Sequence, residues 1–105
     1  MTRFSDTVER LAATIESRRG GDPATSWSAK LLADRPLAAK KLAEEAVELA
    51  LAAVQNDRAG VIAESADVIY HWLALIASAG VSLDDIAAAL ETREGRSGVA
   101  EKAAR

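Results

Sequence analysis

Lys40-Lys41-Leu42-Ala43-Glu44-Glu45-Ala46-Val47-Glu48 and, further along, Glu64-Ser65-Ala66-Asp67-Val68-Ile69-Tyr70-His71 are the stretches on which the reading of this chain turns. In the first, Glu44 and Glu48 are four apart, so on a helix their side chains lie one above the other. At roughly 100° per residue, Leu37 and Leu51 fall almost in line with them and Val47 lies nearby. A purely solvated face is not usually flanked in that way. In the second stretch Glu64, Asp67 and His71 project into one narrow sector of a helix. Val61, Val68, Trp72 and Leu75 occupy one neighbouring sector, and Ile62, Ile69, Leu73 and Ile76 the other. A helix apolar over so wide an arc packs on two sides, which also implies a partner surface, most simply a homodimer.

The pattern predicts one long helix from about Asp34, with Pro36 in its first turn, to about Gln55, and a second from about Asp57 to Ala79, stopped by Gly80. The break at Asn56-Asp57 is short, so the two helices form an antiparallel hairpin. In that hairpin Glu44, Glu48, Glu64 and Asp67 can converge. Clustered carboxylates repel and are costly to desolvate unless something compensates. A hard divalent cation would do so, and an oxygen-only donor set suits Mg2+ or Mn2+. The bland alternative is a solvated face on which Lys40–Glu44 and Lys41–Glu45 are ordinary ion pairs. Acids on two consecutive helices, one of them strongly apolar, favour the metal site. His71 alone suits a hydrogen-bonded core histidine. A ferritin-like diiron site fails, because it wants glutamate three residues before histidine and Val68 stands there.

Outward from the hairpin, Phe4, Val8, Leu11 and Ile15 mark a helix from about Phe4 to Arg18, closed by Gly20-Gly21-Asp22-Pro23. A short helix spans about Trp27 to Leu32, opened by Thr25 or Ser26. Ser82, with Asp85 as capping-box partner, opens another that reaches about Arg93. The tail from Glu94 to Arg105 reads as a loop and a short polar helix. No strand alternation occurs, so the expected fold is all-α, a bundle of about four to five helices in a single domain over 1–105. Alanine-rich composition agrees.

The chain has no cysteine, which excludes a disulfide scaffold, a thiol nucleophile and thiolate-held metals. Net charge is −3 with no basic stripe, so nucleic acid is not an expected partner. The polar start, Met1 to Asp6, shows no signal peptide. No apolar run is read as approaching the roughly 20 residues that cross a bilayer. A soluble, cytoplasmic protein without membrane contact is expected.

The spacing Glu44-Glu45-x-x-Glu48 followed by Glu64-x-x-Asp67 resembles the signature of the all-α nucleotide pyrophosphohydrolases, the MazG-like superfamily. Within it, Ser26-Trp27-Ser28-Ala29-Lys30-Leu31 resembles the Ser-Tyr-Thr-x-x-Leu segment of the phosphoribosyl-ATP pyrophosphatases. Lys41 to Ala46 and Glu64 to His71 look like that family's helix motifs, and Ser97-Gly98-Val99-Ala100-Glu101-Lys102 like its C-terminal Ser-Gly-x-x-Glu-Lys motif. The resemblance covers nearly the whole chain. Trp27 replaces the usual tyrosine and Ala43 a common glycine.

That resemblance implies Mg2+-dependent hydrolysis of phosphoribosyl-ATP to phosphoribosyl-AMP and pyrophosphate, the second step of histidine biosynthesis. It implies Glu44, Glu48, Glu64 and Asp67 as metal ligands and Glu45 as the acid that orients or deprotonates water, with roles exchangeable among the five. Lys41, Arg93, Arg96, Ser97 and Lys102 would bind phosphate, while Ser26, Trp27 and Ser28 would contact base or sugar. His71 would stand behind the ligands. It also points to a helical assembly with sites near subunit interfaces. The rivals are a house-cleaning nucleoside triphosphate pyrophosphohydrolase, against which the C-terminal motif argues, and a non-catalytic helical dimerisation module. The following enzyme of the pathway, a cyclohydrolase, is disfavoured because its zinc site resembles a cysteine-based one.

Overall fold

In the computed structural model, residues 2–96 and 98–103 are described. They form α1 (Arg3–Ser17), α2 (Trp27–Ala33), α3 (Arg35–Val54), α4 (Arg58–Ser78), α5 (Leu83–Glu91) and α6 (Gly98–Ala103). No strand occurs among them, so the all-α expectation holds.

Local chemistry sets most of the boundaries. The Asp34 side chain accepts from the Leu37 N–H, and Pro36 sits in the first turn of α3, where a missing N–H costs nothing. Asp57 caps α4 in the same way through the Gly60 N–H. α4 ends in a Schellman arrangement: Gly80 takes φ +72°, and the Val81 N–H donates to the Ile76 carbonyl at 2.9 Å. Ser82 and Asp85 form the expected capping box. A second box, Thr2 with Ser5, starts α1 and was not anticipated.

α3 and α4 form the expected hairpin, the most extensive packing in the molecule, and α1 and α2 lie against α4. The inward seam of α3 runs Ala38, Lys41, Leu42, Glu45, Leu49, Ala52, all buried or half-buried. Ala38 and Ala52, each seven residues from Glu45, are small enough to admit α4 closely. Along α4 the seam runs Glu64, Val68, His71, Leu75. The core is thin: Ile15, Leu31, Ala38, Leu73 and Ala74 form one buried cluster.

Two sequence expectations need correction here. Of the residues expected to flank Glu44 and Glu48 with packing, Leu37 meets the core, whereas Leu51 and Val47 are 54% and 60% exposed. Likewise α4, at 21 residues and mean hydropathy 1.3, is long and apolar enough to cross a membrane by length and composition. Its apolarity is put to another use, since it packs simultaneously on α1, α2 and α3.

Candidate active site

Midway along the hairpin, α3 and α4 present carboxylates to each other. Glu45 and Glu48, three apart on α3, meet Glu64 of α4, and one oxygen from each lies within 4.8 Å of the others. Glu64 sits on the α4 seam, and its Oε2 is shielded from solvent with no hydrogen-bond partner. An ionised carboxylate would leave that oxygen without a donor. The Glu64 carboxyl is accordingly pushed up from 4.5 to about 7, first by a proton shared with Glu45, then by burial, and then by Glu48. Three acids held this close lose a proton from the group only reluctantly near neutral pH, unless a cation takes its place. The donors are oxygens alone, the set that a hard divalent cation prefers.

Glu44 stands outside this group. It turns to the surface, where Lys41 Nζ donates to Oε2 at 3.2 Å and Lys40 Nζ lies 3.9 Å from Oε1. Lys41 thus pairs with Glu44 rather than with Glu45, which leaves Glu45 to Glu64. The Lys41 ammonium is held above its usual range by Glu44 first, with Glu45 and Glu48 adding to the attraction. Asp67 is exposed, one turn along α4 from Glu64. The structure therefore brings together Glu45, Glu48 and Glu64, and it places Glu44 and Asp67 on the rim.

Similarity to known proteins extends over nearly the whole chain. The sequence model of the family described as phosphoribosyl-ATP pyrophosphohydrolase matches residues 8–94, which span α3, α4 and all three clustered acids. The chain belongs to this family. A Caulobacter vibrioides protein named phosphoribosyl-ATP pyrophosphatase is 62% identical over 103 residues, covering 98% of this chain and 96% of its own length. Relatives of the same name from Caulobacter sp. and Rhodobacter capsulatus are 58% and 54% identical, over 100% and 93% of this chain and 98% and 96% of their own lengths. This member of the phosphoribosyl-ATP pyrophosphohydrolase family is an enzyme, a hydrolase that releases pyrophosphate.

The remaining expected site residues of this pyrophosphohydrolase fall in two places. Ser26, Trp27 and Ser28 open α2, which lies on α4. Ser26 is its N-cap, accepting from the Ala29 N–H at 3.1 Å. Ser28 Oγ and Tyr70 Oη are 2.6 Å apart, and the Trp27 indole N–H donates to His71 Nε2 at 3.2 Å. His71 reaches the main-chain carbonyl of Asp67, not a carboxylate. Arg93 and Arg96 lie in the turn after α5, and Lys102 is exposed on α6. Among the described residues, α5 and α6 have no extensive packing on α3 or α4. Ser97 lies outside the described residues.

The inward turn of Glu45 and the outward turn of Glu44 have a signal in the sequence. Ala38, Glu45 and Ala52 are spaced by seven, and two lysines stand within reach of Glu44.

Proposed function

We propose that this chain hydrolyses phosphoribosyl-ATP to phosphoribosyl-AMP and pyrophosphate, the second step of histidine biosynthesis, with Mg2+ held at Glu45, Glu48 and Glu64. The observation that supports this reading is the shielded, partnerless Oε2 of Glu64 facing two further carboxylates. A structural acid would be paired or solvated, whereas this one is arranged for a cation. Mn2+ would fit the same oxygens.

When bound, the cation supplies charge stabilisation to the departing pyrophosphate. Everything else falls to the chain. Glu45, half-buried on the α3 seam, orients a water and accepts its proton as the water oxygen attacks phosphorus and the anhydride P–O bond breaks. Glu48 from α3 and Glu64 from α4 would hold the cation together with Glu45. Glu44 and Asp67, exposed nearby, would offer further carboxylate oxygens to the cation. Lys41 is the nearest ammonium on the same helix to meet phosphate oxygens. Arg93, Arg96, Ser97 and Lys102 supply the remaining positive or donor groups from the tail, and in a homodimer they can come from the partner. Trp27 with Ser26 and Ser28 forms the base and sugar end.

The acting unit is a homodimer of one-domain chains in the cytoplasm, without nucleic acid or membrane. Val47, Leu51 and Val54 form an exposed stripe on α3 at helical spacing, beside the clustered acids. Such a stripe is normally covered.

The test is pyrophosphate release by the purified protein from phosphoribosyl-ATP, with ATP and dCTP as controls, with and without Mg2+. Mg2+-dependent release from phosphoribosyl-ATP alone is expected. Release from the ordinary nucleotides alone would overturn the substrate, and silence on all three from folded protein would overturn the enzyme reading.

A further inference from the structure

Trp27 combines two properties that rarely go together. It is a large aromatic left 42% exposed, and its only polar atom is nevertheless pinned. The indole N–H can only donate, so His71 Nε2 must accept, and the ring carries its proton on Nδ1. That N–H donates in turn to the Asp67 carbonyl at 2.8 Å. His71 itself is 7% exposed, and the edge of Tyr70 meets it with ring centroids 5.0 Å apart. Both imidazole nitrogens are therefore committed, and the ring is wedged between the α4 main chain and the indole, which it meets edge-on at 77°. A second bond, Ser28 to Tyr70, fixes the same turn of α2 to the same turn of α4. A seven-residue helix has little stability of its own, so these ties, with buried Ala29 and Leu31, determine where the indole points.

Position along α4 gives this arrangement a use. His71 follows Glu64 by seven residues, two helical turns, so it faces the same side about 10 Å further along the axis. The indole, bonded to His71, is thereby tied to the stretch of α4 two turns along from Glu64.

We propose that His71 is a positioning residue that holds the Trp27 indole as the platform on which the purine ring of the substrate stacks. This rests on the pyrophosphohydrolase reading above and assigns the base end of that site. A core histidine would explain the burial of His71, but not an exposed aromatic held by its N–H. Phenylalanine in place of Trp27 would pack as well and could not be held.

The test is a double-mutant cycle with His71→Phe, Trp27→Phe and the pair, reading KM and kcat for phosphoribosyl-ATP. Each single change is expected to raise KM about tenfold, near the low end of what losing a base stack costs. Little change in kcat is expected, and the pair should be no worse than Trp27→Phe alone. His71→Gln, which can still accept from the indole, should recover most of the loss. A binding readout independent of turnover uses Trp27 emission in a Trp72→Phe background. AMP should quench it saturably, ribose 5-phosphate should not, and His71→Phe should weaken the AMP response about tenfold. Additive effects in the cycle, equal quenching by ribose 5-phosphate, or unchanged KM in folded Trp27→Phe would each overturn the proposal. Should His71→Phe unfold, Trp27→Phe and His71→Gln carry the same comparison. If no variant and not even the unaltered protein releases pyrophosphate, the enzyme reading fails, while the quenching comparison still decides the platform.

Discussion

A single oxygen, Glu64 Oε2, concentrates the chemistry at the residue scale. Because the Glu64 carboxyl sits at about 7 in the folded protein against an ordinary 4.5, the folded chain keeps a proton there that the unfolded chain releases. Metal-free stability should be greatest below about pH 4.5 as far as this group is concerned, fall as pH rises through 7, and level off above. Divalent cation competes for the same oxygens, so its stabilising effect should grow over the same interval. Melting curves from pH 4.5 to 8, with and without Mg2+, check both slopes; a metal-free midpoint that rises through this window would contradict the shared proton. Glu64→Gln should flatten the pH dependence, melt higher than the unaltered protein above pH 7 without metal, and gain nothing from Mg2+. Glu45→Gln should lose about 10²–10⁴ in kcat if Glu45 takes the proton of water. Glu44→Gln should lose less, because Glu44 answers mainly to Lys40 and Lys41 at the surface, where such pairs contribute about 0–1 kcal/mol. Equal losses at positions 44 and 45 would return Glu44 to the centre of the site.

At the scale of the element, α4 is held at both ends by groups from elsewhere. Arg19 donates to the Ala77 carbonyl at 2.9 Å and Arg35 to that of Ser78, so two cations satisfy the last turn and oppose its partial negative charge. Arg19→Ala and Arg35→Ala should each cost about 0.3–1 kcal/mol, measured by urea unfolding. At the other end, a Cβ at Gly60 would strike Asp57 Oδ2 and come within 3.2 Å of Ala52 Cβ on α3. Gly60→Ala gains up to about 1 kcal/mol in helix propensity but displaces a cap of similar value and pushes α3 away. It should therefore destabilise, by about 1 kcal/mol, and a stabilised variant would show that the hairpin can open there. These elements also show how much was legible in advance. Pro36, Gly80 and the Ser82/Asp85 pair act within a few residues of themselves, so their effects could be read along the chain. The contacts of Arg19 and Arg35 span 58 and 43 residues, and no local pattern announces them. The site fell between these cases: acids on two helices were evident, but which of them face inward depended on alanines that carry a weak apolar signal. The bonds of Trp27 and Ser28 to α4 had no signal in the sequence at all.

For the whole molecule, the dimensions do not match those of a self-sufficient domain. The chain has a radius of gyration of 15.6 Å, where a compact chain of this length has about 13 Å. It exposes 7251 Å², roughly 1,600 Å² more than a folded monomer of its mass would. Over two copies that excess lies within the range of about 2,000–5,000 Å² buried by obligate homodimers. Three of the exposed large apolar residues, Val47, Leu51 and Val54, lie along one face of α3. In an isolated monomer, Leu51→Asp would be a surface change worth less than about 0.5 kcal/mol in either direction. In a dimer closed on this stripe it buries an unpaired charge on each side of the two-fold axis, which costs far more. Sedimentation of the unaltered protein should give twice the 11.0 kDa chain mass, and Leu51→Asp should shift it toward a single chain. Pyrophosphate release should fall with dissociation, because Glu48 of the acidic cluster lies one turn from Leu51 and would lose the neighbouring subunit. A protein that sediments as a single chain and remains fully active would show instead that the thin core suffices alone and that the stripe has no partner in catalysis.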